Sequence, residues 1–154
     1  MNRKEKYKWR LKVNMEGIRA YLKAYKIIER RGRKYDSEVL RVNPVLISLS
    51  LEKAFKALAL FYERRKKLRG HNLLALWNSL SKKTRLEISN YVDDKPKYIL
   101  RMLDCNQRAF ETWRYIEEPQ KNMIVFIDVH IMIDIINFTI KALEAKLSGS
   151  NSKK

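Results

Sequence analysis

Between Pro44 and Leu68 the apolar side chains return every three or four positions. Leu51, Phe55, Leu58 and Tyr62 make one stripe, thickened by Ala54, Ala59 and Phe61. That period fits a helix with one face on a core, and it does not fit the alternation of a half-buried strand. Glu52 with Lys56, and Glu63 with Lys67, add pairs four residues apart with the acid first, the favourable orientation. Only four Gly and three Pro interrupt 154 residues, so long helices have few places to break. The apolar share of 45% is ordinary for a globular chain and sufficient for a buried core. The expectation is an all-α fold, a five- or six-helix up-and-down bundle. One domain covers residues 1–147, and a polar, disordered tail covers 148–154.

The other helices follow from similar patterns. Lys4 to Arg31 carries Trp9, Val13, Ile18, Tyr21, Leu22, Tyr25 and Ile28 at helical steps, and Gly32 supplies a stop. Tyr35 to Asn43 reads as a loop, and Pro44 suits a first helical turn. Gly70 ends the Pro44–Leu68 helix, Asn72 caps Leu73 to Leu80, and Ser81 caps Lys82 to Val92. A helix from Lys97 to about Tyr115 precedes a loop over Glu117 to Asn122. Met123 to Leu147 is harder, because Ile127, Val129, Ile131, Ile133 and Ile135 alternate with polar residues as in a strand. His130, Asp134, Asn137, Lys141 and Glu144, however, recur at steps of four and three, and about twenty-five residues is too long for an ordinary strand. The segment predicts a helix, buried on most sides or shared with a second subunit. Asp128 and Asp134 argue against a membrane span.

Charge narrows the partner. Lys and Arg number 34 against 17 Asp and Glu, a net charge of +17. Residues 1–34 alone hold thirteen Lys or Arg and three Glu, a net of +10. Arg64, Arg65, Lys66, Lys67 and Arg69 form a second cluster. Regional excess of this kind favours a binding face for a polyanion, with nucleic acid first, an anionic membrane surface second and an acidic protein third. In the first helix Arg3, Lys4, Lys6, Lys8, Arg10 and Lys12 surround Tyr7 and Trp9. Cations there would neutralise phosphates, and the rings would stack on unpaired bases. The alternative is a solvated face on a core helix anchored by Trp9.

A further pattern lies in Ser50-Leu51-Glu52-Lys53-Ala54-Phe55-Lys56-Ala57-Leu58, then Arg69-Gly70-His71-Asn72-Leu73-Leu74-Ala75-Leu76, then Ala109-Phe110-Glu111-Thr112-Trp113-Arg114-Tyr115-Ile116-Glu117. Over roughly Pro44 to Lys146 this order resembles uncharacterised bacterial and phage proteins of the HEPN superfamily (higher eukaryotes and prokaryotes nucleotide-binding). The resemblance implies a helical bundle, often a homodimer, that binds or cleaves RNA in toxin or defence systems. Cleaving members pair an Arg with a His across four to six intervening residues and need no metal. Here only Arg65, or Arg64, stands at such an interval before His71, and Lys66 or Arg65 occupies the position where Asn, Asp or His is usual. His71 would then serve as general acid or base at a ribose 2′-hydroxyl, with Arg65 or Arg64 on the phosphate.

Each of these residues also has a structural reading. His71 follows Gly70 in a tight connection and would hydrogen-bond there; Arg114 would pair with Glu52 or Glu117 between packed helices, or bind phosphate beside Trp113 and Tyr115. His130 and Asp134 share a helical face without a third ligand, so no metal site and no cofactor are expected. Lone Cys105 fits a reducing cytoplasm, and the charged start carries no apolar leader run. The leading expectation is an RNA-binding homodimer with Lys66, Lys67, Arg69 and Arg114 extending the basic surface, and metal-independent endoribonuclease activity at His71, Arg65 and Arg64. The rival is a non-catalytic adaptor or antitoxin-like protein that binds an acidic partner.

Overall fold

A computed structural model of the chain describes residues 1–32, 42–65, 68–93, 96–106 and 128–149. Six α-helices and no strand lie among them: α1 (Arg3–Gly32), α2 (Val42–Ala57), α3 (Leu73–Ser79), α4 (Lys82–Val92), α5 (Pro96–Cys105) and α6 (Val129–Gly149). The fold is an all-α bundle. The end of the helix expected from Lys97 to about Tyr115, the loop expected over Glu117 to Asn122 and the start of the helix expected from Met123 fall in 107–127, outside the described residues.

Local chemistry sets most helix ends. Asn2 and Glu5 form a reciprocal capping box: the Asn2 Oδ1 accepts from the Glu5 N–H at 2.9 Å, and the Asn2 N–H donates to the Glu5 carboxylate at 2.8 Å. Asn72 Oδ1 caps α3 by accepting from the Ala75 N–H, and Ser81 Oγ caps α4 by accepting from the Thr84 N–H. Pro44 sits in the first turn of α2, where its missing N–H is not needed.

α2 is the centre of the molecule, packed against α1, α3 and α6. Leu51, Ala54, Phe55 and Leu58 are buried together, with the Phe55 and Trp77 rings 5.8 Å apart. The segment that imitates a strand is the helix α6. Ile131, Met132, Ile135, Ile136 and Leu143 are buried, because α1, α2 and α4 cover it within a single chain.

Three expectations need correction. First, the α-helix expected to run to Leu68 gives way at Leu58–Tyr62 to a π-helical turn, closed by the Glu63 N–H to the Leu58 carbonyl at 2.9 Å. Arg64 then turns left-handed at φ 57°, which ends the helix before Leu68. Secondly, the buried face of α1 is Leu11, Met15, Ile18, Leu22 and Tyr25, whereas Trp9 is 57% exposed and Val13 43%. Docking of α1 on α2 chose the 4-3-4-3 series through Leu11, and Trp9 lies about 200° from Leu11 around the helix. Thirdly, Ser148 and Gly149 belong to α6, and the Ser148 hydroxyl donates to the Glu144 carbonyl. Residues 150–154 lie outside the described residues.

Candidate nucleic-acid interface

With Leu11 and Ile18 turned to the core, helical geometry fixes where the other side chains of α1 lie. Lys8, Lys12, Arg19, Lys23, Lys26 and Arg30 follow one another at steps of four, seven, four, three and four, so they fall along one flank. At 1.5 Å per residue this line of bases runs for about 33 Å. Its far end is a shallow groove of about 290 Å³ in which Lys23, Lys26 and Arg30 stand beside Leu22 and the exposed Ile27. Arg19 is tied to Glu144 and so fastens the line to α6. Lys12 is held loosely, 3.9 Å from Glu16.

Of the six expected bases of the first turns, Lys8 and Lys12 belong to this line and the other four lie near its start. Arg3, Lys4, Lys6, Arg10 and Lys12 are exposed, and Lys8 is partly buried. Arg19, Lys23, Lys26 and Arg30 were not among them, although the spacing of bases through Arg30 could have revealed them once the core face was known. The two aromatics divide. Tyr7 is structural: its hydroxyl donates to the Phe61 carbonyl at 3.2 Å and its ring meets Phe61 edge-on at 5.5 Å. The Phe61 carbonyl lies within the π turn. Trp9 instead presents its indole to solvent, with Lys6 and Lys12 three residues away on either side.

The second cluster follows the π turn. Arg65 is half-exposed but tethered: its Nε is 2.9 Å from Glu63 Oε2 and its guanidinium donates to the Ser79 carbonyl at the end of α3. Glu63 is nearly buried and its Oε1 accepts from the Ser81 N–H at 2.8 Å. Burial would push the Glu63 carboxyl up, but hydrogen bonds from Thr84 and Ser81 and the charge of Arg65 outweigh it and hold it below its ordinary value. The unit Glu63–Arg65–Ser81 thus pins the chain after α2 to the α3–α4 junction.

His71 stands at the other end of α3. Its Nδ1 is 2.9 Å from Glu52 Oε2, and Glu52 Oε1 accepts from Lys56 Nζ at 2.6 Å. The imidazole is oriented by a carboxylate yet remains 54% exposed. Because Arg65 is anchored at Ser79 and His71 precedes Leu73, the seven-residue α3 separates the two anchors by about 10 Å. Arg65 and His71 are thus held by different partners, at opposite ends of α3. Arg64 and Arg69, beside the left-handed turns at Arg64 (φ 57°) and Gly70 (φ 85°), carry exposed side chains. Lys66, Lys67 and Arg114 lie outside the described residues.

No family model matches this chain, and neither do curated proteins or solved structures. Among the described residues no group of three or more His, Cys, Asp or Glu could hold a metal ion, and no helix is long and apolar enough to cross a membrane. Cys105 is exposed.

Proposed function

We propose that this protein is an RNA-binding, HEPN-like helical module that lays a single strand along α1. The observation that carries the reading is the exposed Trp9 indole flanked by Lys6 and Lys12 at the head of a line of bases. Cations so spaced neutralise successive phosphates and release their counterions, while an exposed indole offers a platform to an unpaired base. Arg64 and Arg69 extend the positive surface near His71.

The finer reading is metal-independent cleavage by His71. In it Glu52 fixes the imidazole through Nδ1, as a carboxylate does for a general base, and the partner for the phosphate is Arg64 or Arg69 in preference to the tethered Arg65. Labelled RNA incubated in EDTA with wild-type protein and with His71→Ala tests it. Cutting by the wild type alone supports the reading; equal cutting removes His71 from the mechanism.

Binding itself is tested by mobility shift against salt. A steep fall in affinity with ionic strength, made shallower by Lys23→Glu with Lys26→Glu, is the expected result. Affinity indifferent to salt would overturn it. One observation favours the second reading, an acidic protein partner: Val13 and Ile27 are exposed beside the same bases. Tight binding to an acidic amphipathic peptide, with no salt-sensitive RNA shift, would select that alternative.

A further inference from the structure

Between α4 and α6 lies a groove of about 610 Å³, within the range of small-molecule sites. The groove stays open because Ala142 and Ala145 put only methyl groups on its floor. Its chemistry is uneven along its length. At one end the Tyr91 ring meets Phe138 edge-on at 5.5 Å, and Lys141 Nζ lies 5.0 Å from the Tyr91 centroid. At the other end Tyr62 donates its hydroxyl to Glu87 Oε2 at 2.8 Å, with Lys146 Nζ 5.4 Å from the Tyr62 ring.

Glu87 and Tyr91 are four residues apart on α4, so their side chains are neighbours at about 6 Å. A planar ring laid on Tyr91, which is 40% exposed, would bring one edge to the Glu87 carboxylate and its sugar side to Lys141. The Glu87 side chain is about one-third exposed, and each oxygen carries two lone pairs. Tyr62 uses one of these on Oε2, and Lys83 stands off at 3.9 Å from Oε1, so both oxygens retain acceptor capacity. Tyr62 keeps its proton for this role: the hydrogen bond to Glu87 raises its phenol above the ordinary value, with burial and the charges of Glu87 and Glu63 adding. The Tyr91 hydroxyl in turn holds the Lys141 ammonium above the ordinary lysine value, so the cation persists.

We infer that the α4–α6 groove is a guanine-nucleotide site, in which Tyr91 stacks on the base, Glu87 accepts from its N1–H and N2–H groups, and Lys141 meets the phosphate. Among the four RNA bases only guanine offers two adjacent N–H donors on its Watson–Crick edge. Adenine and cytosine each set an acceptor beside the donor, which a carboxylate repels, and uracil offers one donor between two carbonyls. The same chemistry is presented by an unpaired guanine within RNA and by a free guanine nucleotide. The site does not depend on the α1 reading.

Titration of the full chain with GMP, AMP and 1-methyl-GMP, followed by calorimetry and by shifts of the Tyr91 and Phe138 ring resonances, tests the assignment. GMP is expected to bind about tenfold or more tighter than AMP, and 1-methyl-GMP, which lacks one donor, to fall to the AMP level. Glu87→Gln should erase the preference, and Tyr91→Ala should weaken every nucleotide. Because the methylated ligand is tested on wild-type protein, misfolding of a variant does not obscure the answer. Equal affinity for GMP and AMP, no binding at millimolar GMP, or a preference that survives 1-methylation would overturn the assignment. An oligoadenylate with one internal guanosine then separates the sources. Tighter binding than the all-adenosine strand places the base within RNA, and equal binding beside a GMP preference identifies a free nucleotide. Lys23→Glu with Lys26→Glu should leave the GMP affinity unchanged, so the α1 interface and this groove stand or fall separately.

Discussion

Glu52 Oε2 stands 2.9 Å from His71 Nδ1, and the buried carboxylate that makes this contact also takes Lys56 through its other oxygen. The relationship joins the hub helix α2 to the turn before α3. Replacing Glu52 by Gln keeps the volume and removes the charge on which both contacts rely. The expected cost is about 1.5–3 kcal/mol, the range for hydrogen bonds to charged groups. Urea denaturation at neutral pH measures it. A loss within about 0.5 kcal/mol would mean that the two contacts act only as surface pairs do.

Glu63 makes the fold sensitive to acid. Its folded pKa is lowered from an ordinary value of 4.5, so the stability it contributes is complete above that value and is lost as pH falls through the lower, folded one. Glu63→Gln should therefore destabilise the protein at neutral pH and flatten its further loss of stability below about pH 4.5, as the shift direction requires. Denaturant midpoints collected from neutral to acid pH for both proteins check this. Parallel curves for the two would refute it.

Trp9 and Leu11, two residues apart, should behave oppositely. Trp9→Ala is expected to leave stability within about 0.5 kcal/mol, yet to weaken single-stranded RNA binding by about 1–3 kcal/mol, the loss of one stacking platform. Leu11→Ala empties a fully buried position and should cost about 2–5 kcal/mol of folding stability. Thermal denaturation beside mobility shift separates the two effects.

The turn between α2 and α3 stores its own asymmetry. Gly70 has φ 85° and nothing near its missing Cβ, so Gly70→Ala meets only backbone strain, about 1 kcal/mol. Arg64 already bears that strain at φ 57°, and Arg64→Gly should be neutral or stabilising by up to about 1 kcal/mol. Opposite shifts in melting temperature are the expected outcome, and a matching loss in both variants would count against the argument.

Much of the fold was legible in the residues. The stripe Leu51–Phe55–Leu58 is buried as its spacing predicts, Asn72 and Ser81 cap the helices they precede, and the stretch after Asp128 is helical despite its alternation. The capping box of Asn2 and Glu5 was not read from the sequence, and it places the start of α1 at Arg3 rather than Lys4. The candidate site was less legible. The family resemblance paired Arg65 with His71, whereas each is held by an acid from the α2 segment, Glu63 and Glu52, at opposite ends of α3.

Sequence alone determined that the chain is helical and basic, because period, capping residues and charge are local properties carried by each segment. It could not determine which side of α1 faces in, since Trp9–Val13 and Leu11–Met15 are both apolar steps of four. Packing on α2 decided that, and by burying Leu11 it turned Trp9 and the line from Lys8 to Arg30 outward. The same holds for the groove between α4 and α6: Glu87 and Tyr91 on α4 lie 54 and 50 residues before Lys141 in the chain and come near it only when the two helices pack.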